Sequence, residues 1–193
     1  MCNNDIDINW LKEILQNKPL IEKLKKIKLI ISDIDGCLAN GKVYGEEESK
    51  GFCVQDGFGT VKALEAGLKI AFITGKNSNQ TKERAKTLGI PDELCHVGIC
   101  NDKIEKVHDV QEKTSCSKEE TLFFGDDVLD IEAKEAVGVF ASPKNLIFYL
   151  KPYVDFIIPR EGGKGAFRLL LDLILYSQGK HFAADMIEES LKK

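Results

Sequence analysis

The stretch KLIISDIDG, residues 28–36, decides the fold of this 193-residue chain. Its unbroken apolar run is followed at once by two acids, Asp33 and Asp35. A short apolar run without alternation is typical of a strand covered on both faces, as in a parallel sheet. We therefore predict a buried strand over residues 28–33 whose carboxyl end carries two carboxylates.

Strand-like and helix-like segments alternate along the rest of the chain. The runs at 69–74 and 121–125 repeat the first apolar pattern, and segments of helical period separate the runs. Weaker strand signals lie near residues 94–97, 137–140 and 155–158. This alternation predicts an α/β fold, a Rossmann-like three-layer arrangement around a parallel sheet.

Two segments stand outside this alternation. Residues 1–27 have apolar positions at helical spacing, which predicts one or two added helices that serve packing or an oligomer contact. After the first strand, turn signals at residues 40–41 and 45–48 predict a short β-hairpin that projects above the sheet.

Composition excludes several classes of function. The formal net charge of -4 gives no global field that would hold nucleic acid or an anionic membrane. No run of 18 apolar residues and no signal peptide is found, so we expect a cytoplasmic protein. Six cysteines without a CxxC pair indicate free thiols. Cys95, His96 and Cys100 lack the further ligand pair that a zinc site requires.

Polar residues mark the point where each predicted strand ends. Ligands bind at the carboxyl ends of strands in open parallel sheets, and residues two apart on an extended backbone face the same side. Asp33 and Asp35 should therefore share a pocket with Asp126, which follows the run at 121–125. Thr74 ends another strand, and Lys103 stands at the start of a predicted helix.

Three converging acids repel one another and need a cation, and Mg²⁺ suits an all-oxygen site with few protein ligands. Lys103 and Thr74 could then help to hold a phosphate. The pattern indicates a phosphate-monoester hydrolase with Asp33 as covalent nucleophile and Asp35 as general acid/base. Each residue alone would be a helix cap, a turn or a surface charge. Their joint occurrence in this order favours the catalytic interpretation.

These residues carry a family resemblance. DIDG, ITG, the lysine of NDK and GDDVLD resemble the four motifs of the haloacid dehalogenase (HAD) superfamily of phosphatases, in the correct order. The resemblance implies an HAD-like fold with Asp33, Asp126 and the backbone carbonyl of Asp35 as ligands of Mg²⁺. It also implies that Asp127 and Asp130 are supporting acids.

Within that superfamily, DGCLANGKVY, FCVQDGFG, RAKTLGI and EGGKGAFR resemble the 3-deoxy-D-manno-octulosonate 8-phosphate (KDO 8-phosphate) phosphatases. The resemblance covers residues 28–179, between the N-terminal extension at 1–27 and a tail helix at 180–193. It implies a fold without a cap domain, a homotetramer, a small phosphorylated sugar acid as substrate, and a role in lipopolysaccharide synthesis.

The resemblance also suggests how substrate is bound. Arg84 matches a family arginine and is the candidate contact for the sugar carboxylate, against an exposed helix charge as the simple alternative. Gly75, Lys76 and Lys164 are further candidates for substrate binding. The family usually has arginine at positions 55, 76 and 164 and aspartate at position 40, where this chain has Gln, Lys, Lys and Asn. Lysine lacks the bidentate fork of arginine, so these differences bear on substrate choice more than on the reaction.

Three alternatives to this interpretation can be weighed from the sequence. A phosphatase for a nine-carbon acid, such as KDN or N-acetylneuraminate 9-phosphate, would share the same design. A receiver domain would place its acidic pair after the first strand, whereas here the acidic pair, Asp126 and Asp127, comes last. A non-catalytic HAD-like module associated with a sugar-nucleotide transferase is disfavoured because the whole catalytic set is retained.

Overall fold

The apolar runs form the strands of one parallel sheet. The structure is a computed structural model that describes residues 4–42 and 50–192. Within these residues the sheet has six strands in the order β3-β2-β1-β4-β5-β6, and every neighbouring pair is parallel. The strands are β1 (Leu29–Ser32), β2 (Lys69–Thr74), β3 (Cys95–Val97), β4 (Thr121–Phe124), β5 (Val139–Ser142) and β6 (Phe156–Ile157).

Helices connect the strands and flank the sheet. The α-helices are α1 (Asn4–Gln16), α2 (Lys18–Leu24), α3 (Val54–Glu65), α4 (Asn79–Thr87), α5 (Lys103–Thr114), α6 (Ala166–Ser177) and α7 (Ala184–Leu191). Shorter 3-10 segments span Asp92–Leu94, Lys118–Glu120, Val128–Ala136 and Phe148–Tyr153. The predicted α/β, Rossmann-like sheet is thus confirmed.

Strand order places the functional crevice at the centre of the sheet. The strand β1 pairs with β2 on one side and with β4 on the other, and the connections run outward from this point in opposite directions. Such a switch point leaves a crevice outside the carboxyl ends of the two central strands. Asp33 follows β1 and Asp126 follows β4, so both residues face this crevice.

Large apolar side chains hold the central strands in place. Every residue of β1 and β4 is buried. Phe123 of β4 stacks on Phe140 of β5 with ring centroids 5.6 Å apart, and Phe124 packs on Phe167 of α6 at 5.8 Å. The two phenylalanines of β4 point to opposite faces of the sheet, so each face has its own aromatic contact.

Some predicted boundaries shift in the structure. The strand expected near 137–140 begins instead at Val139, because the backbone N–H of Gly138 donates to the carbonyls of Lys118 and Thr121. The predicted hairpin is described only at its base, where Ala39 forms an antiparallel bridge with Phe52. Its second turn signal, at 45–48, lies outside the described residues.

The N-terminal extension packs against the end of the sheet. The indole N–H of Trp10 in α1 donates to the carbonyl of Ile157 at 2.9 Å, and Asp7 accepts two hydrogen bonds from Arg160. The side-chain amide of Gln178 donates to the carbonyls of Leu24 and Ile27. The structure therefore supports the packing role, while the division of the chain at residues 27 and 179 stays a prediction. None of the helices in residues 4–42 and 50–192 combines the length and apolarity needed to cross a membrane.

Phe123→Ala is expected to lower the free energy of unfolding by about 3–5 kcal/mol, because it leaves a cavity against Phe140 in the core. Urea denaturation would measure the change. The matched control is Phe148→Ala, since Phe148 is 74% exposed and should change stability little. Equal losses for both variants would show that the sheet core is not organised around Phe123.

Candidate active site

A tight turn follows β1 and shapes the floor of the crevice. The backbone N–H of Asp33 donates to the carbonyl of Phe124, which fixes the acid to the neighbouring strand at 2.9 Å. The carbonyl of Ile34 then accepts hydrogen bonds from three successive amides, those of residues 37–39. Gly36 has a φ of 84°, and a Cβ there would lie 2.0 Å from Oδ2 of Asp126. Only glycine meets both conditions, so the turn and Asp126 can approach each other closely.

Three carboxylates meet in this crevice. Oxygens of Asp33, Asp126 and Asp130 all lie within 4.8 Å of one another, and the structure contains no other such cluster in residues 4–42 and 50–192. Burial, together with the charge of Asp130, raises the pKa of Asp33 to about 7 and that of Asp126 to about 8. The charge of Lys103 opposes this rise at Asp33. In the absence of a cation, the acids thus tend to hold protons.

These acids have the chemistry of a divalent-cation site. Oδ1 of Asp33 is buried and has no hydrogen-bond partner, and such an atom is costly unless it is paired. Mg²⁺ prefers carboxylate oxygens and accepts a site with few protein ligands. The residues present therefore fit Mg²⁺, and Asp33 and Asp126 remain the predicted carboxylate ligands.

Asp130 holds the backbone of Asp126 and the side chain of Lys103 in place through hydrogen bonds. Its Oδ2 accepts hydrogen bonds from the backbone amides of Asp126 and Asp127, and its Oδ1 accepts one from Lys103 at 2.5 Å. The side chain is fully buried. Because both oxygens are occupied by protein donors, Asp130 serves better to hold Asp126 than to bind a metal. Oδ1 of Asp127 accepts a hydrogen bond from the backbone amide of Val128 at 2.6 Å, so Asp127 caps the 3-10 segment that follows.

Lys103 supplies the positive charge inside the pocket. It is the first residue of α5, after Asp102, whose φ of 61° turns the chain into the helix. Its Nζ lies 2.5 Å from Asp130 and 3.4 Å from Oδ1 of Asp33. Burial alone would lower the pKa of Lys103, but the two carboxylates outweigh burial and raise it. The lysine therefore stays charged beside Asp33.

The pocket brings together most of the predicted residues. It encloses about 420 Å³, and the predicted residues that line it are Asp33, Asp35, Thr74, Gly75, Lys76, Lys103, Asp126, Asp127 and Asp130. Cys100 and Leu129 complete the lining. Thr74 is buried, and its side chain hydrogen bonds to Asp33, which lowers the pKa of that acid.

Arg84 and Lys164 are not among the residues that line this pocket. The guanidinium of Arg84 lies over the ring of Phe52, 5.6 Å from its centroid, and a Cβ on Gly57 would meet it at 2.2 Å. Lys164 pairs with Glu161 at 2.5 Å. Within the single chain, Lys76 is therefore the predicted substrate-binding cation nearest to the acids.

Lys50 is a site residue that sequence reasoning missed. Its Nζ donates to both carboxylate oxygens of Asp35, at 2.7 and 2.5 Å, and the side chain is only 4% exposed. Nothing in the sequence marks this lysine, because it lies 15 residues from its partner and within the predicted hairpin. The ion pair occupies both oxygens of the acid that is expected to transfer protons.

The cysteines that the structure describes form no metal-ligand cluster. Cys95, His96 and Cys100 form no ligand cluster in the part of the chain that the structure describes, and the cysteines described there are all free thiols. The zinc alternative therefore has no structural support.

The fold and the site together define the class of protein. A central DxD turn, a strand-end threonine, a helix-start lysine and an acidic pair around one crevice are the arrangement of the HAD hydrolases. No protein-family model matches this sequence.

Known relatives narrow the class. The KDO 8-phosphate phosphatase KdsC of Haemophilus influenzae is 34% identical over 177 residues, which cover 89% of this chain and 95% of the relative. That of Escherichia coli K12 is 35% identical over 164 residues, 83% and 86% of the two chains. The crystal structure of the Moraxella catarrhalis enzyme, with magnesium, phosphate and KDO, is 31% identical with a TM-score of 0.79 and covers 89% of this chain and 97% of that one. The chain belongs to the KDO 8-phosphate phosphatase family, whose members are phosphoric monoester hydrolases.

The raised pKa values predict an opposing effect of pH and Mg²⁺ on stability. Asp33 and Asp126 hold protons more tightly in the folded than in the unfolded chain, so the stability they lend the metal-free protein is present at low pH. It is lost as pH rises through their folded values, about 7 and about 8. Stabilisation by Mg²⁺ should grow over the same interval, because fewer protons compete for the ligands.

Thermal unfolding in EDTA and in excess Mg²⁺, between about pH 6 and about pH 8.5, would measure both trends. Asp126→Asn is the matched control, because it removes one titrating ligand and should flatten both pH dependences. A Mg²⁺ effect that is independent of pH in the unsubstituted protein would contradict the prediction.

Proposed function

We propose that this protein hydrolyses KDO 8-phosphate to KDO and inorganic phosphate, through an aspartyl-phosphate on Asp33, as a cytoplasmic step of lipopolysaccharide synthesis. The observation that carries the proposal is the buried Oδ1 of Asp33, which accepts no hydrogen bond and lies 3.4 Å from Nζ of Lys103 in the pocket. The names of the relatives, and the KDO, phosphate and magnesium in the Moraxella structure, support the choice of substrate.

Asp33 begins the reaction. Its carboxylate attacks phosphorus, a P–O bond to Asp33 forms, and the ester P–O bond breaks. Lys103 and Thr74, which contact Asp33, are placed to neutralise and orient the phosphoryl oxygens. Bound Mg²⁺ would reduce the repulsion between the anionic nucleophile and the dianionic ester. Asp33, Asp126 and the backbone carbonyl of Asp35 would hold it.

Asp35 moves the protons. It gives a proton to the leaving alkoxide, and in the second half of the reaction it takes one from the water that attacks the aspartyl-phosphate. Asp33 is then released together with inorganic phosphate. In this structure Lys50 donates to both carboxylate oxygens of Asp35. Both proton transfers therefore require this ion pair to open, so that Asp35 can contact the reacting oxygen.

The substrate carboxylate requires cationic side chains outside the catalytic set. Lys76 and Gly75 line the pocket, so we assign them to the sugar acid directly. Arg84 and Lys164 lie outside the lining of the single chain, and we retain them as contacts that form when substrate is bound. We further propose a homotetramer, since a site without a cap domain requires another surface to cover it.

Asp33→Asn is expected to lower kcat by roughly 10³-fold or more, because the amide is a poor nucleophile while its shape is nearly unchanged. Phosphate release would measure it. Asp109→Asn, at a half-buried position of α5 that does not line the pocket, is the matched control and should retain activity. Substantial turnover by Asp33→Asn in a folded protein would contradict the nucleophile assignment.

The substrate is tested by comparing phosphate release from KDO 8-phosphate, KDN 9-phosphate, N-acetylneuraminate 9-phosphate and hexose phosphates, with Mg²⁺ and after EDTA. A chelator-sensitive preference for KDO 8-phosphate is expected. Preference for a nine-carbon acid would keep the mechanism and replace the substrate. No hydrolysis of any ester would favour a non-catalytic module.

Lys76→Ala is expected to raise KM for the sugar-acid phosphate about tenfold while hydrolysis of a small aryl phosphate changes little, because the aryl ester has no carboxylate to bind. Arg84→Ala provides the comparison, with the same split expected if Arg84 reaches the bound substrate. Equal losses on both esters would remove the specificity role of the residue concerned. Steady-state kinetics with the two esters would measure each case.

A further inference from the structure

Asn145 lies in the loop after β5 and connects three segments of the active site. Its side chain is exposed, yet both ends of its amide are used. Nδ2 donates to the carbonyl of Gly36 at 2.9 Å, and Oδ1 accepts from the backbone N–H of Gly162 at 2.6 Å. The amide orientation is unambiguous, because the opposite orientation would place oxygen against oxygen and N–H against N–H.

The donor end of Asn145 also reaches Asp126. Nδ2 lies 3.5 Å from Oδ2 of Asp126, and the thiol of Cys37 lies 3.6 Å from Oδ1 of the same carboxylate. The backbone of Asp126 is fixed separately, since its carbonyl accepts from the amide of Ile147 at 2.9 Å. One long donor contact therefore lies at each oxygen of the Asp126 carboxylate, which restricts its orientation.

The acceptor end of Asn145 holds the loop at Gly162 and Gly163. A Cβ on Gly162 would lie 1.7 Å from the carbonyl oxygen of Gly36, so backbone packs directly on backbone there. The N–H of Gly163 donates to the carbonyl of Cys37 at 2.9 Å. Asn145 therefore joins the turn after the nucleophile, the carboxylate of Asp126 and the glycine loop.

We propose that Asn145 is a positioning residue that fixes the orientation of Asp126 for Mg²⁺ relative to the turn that carries Asp33 and Asp35. This inference depends on the proposed function, because it takes Asp126 as a ligand of the metal. Groups that orient metal ligands through hydrogen bonds typically contribute about 10–100-fold to metal affinity. The hydrogen bond between Asn145 and Gly36 keeps the two halves of the metal site in register.

The test is the Mg²⁺ affinity of Asn145→Ala in the whole protein without substrate, measured by isothermal titration. Affinity is expected to fall about tenfold, and the Mg²⁺ concentration for half-maximal activity should rise by the same factor. Activity should recover at saturating Mg²⁺, since Asn145 touches neither the nucleophile nor the general acid. The exposed position of Asn145 means that the variant keeps its core intact.

Asn17→Ala is the matched control. Oδ1 of Asn17 also accepts from a backbone amide, that of Leu20, but at the start of α2 in the N-terminal extension. This variant should lower the melting temperature while leaving Mg²⁺ affinity unchanged. A purely structural role for Asn145 would give the same pattern.

The outcomes separate the inference from the proposed function. Unchanged Mg²⁺ affinity in Asn145→Ala, with normal binding by the unsubstituted protein, would overturn the positioning role alone. Failure of the unsubstituted protein to bind Mg²⁺ would overturn both. A fall in affinity confined to Asn145→Ala supports the proposal.

Discussion

Electrostatic repulsion among buried carboxylates is the constraint on which the rest of the site depends. Asp33, Asp126 and Asp130 lie within 4.8 Å of one another at the carboxyl ends of β1 and β4. The ion pair between Lys103 and Asp130, 2.5 Å long and buried on both sides, offsets part of this repulsion. Backbone amides of Asp126 and Asp127 bind the other oxygen of Asp130. One acid is thereby satisfied by the protein, and the negative charge that remains on the other two favours a bound cation.

The sheet explains how the acids come so close. Parallel strands that diverge at a switch point bring two strand ends together without any segment between them. Aromatic contacts on both faces of β4 and the full burial of β1 fix the two strands in register. The electrostatic cost of bringing like charges together is therefore offset by the packing of the core beneath the site.

The sequence predicted those parts of the molecule that depend on local pattern. The strands, their polar ends and the start of α5 at Lys103 follow from apolar runs and from residues at element termini. Contacts between distant loops leave no such pattern. Lys50 and Asn145 reach the site from loops, over sequence separations of 15 and 109 residues to their partners. The position of Arg84 depends on how Phe52 and Gly57 pack, which its place in the motif does not encode.

The close approach of Gly36 and Gly162 has a consequence for how such an enzyme can diversify. A Cβ on Gly162 would lie 1.7 Å from the carbonyl oxygen of Gly36, so no other amino acid fits at this position unless the backbone moves. Substitutions in this part of the site therefore cannot readily produce new substrate specificity. Adaptation has to proceed through the mouth of the pocket, at positions such as Lys76, where side chains can vary while the catalytic floor keeps its shape.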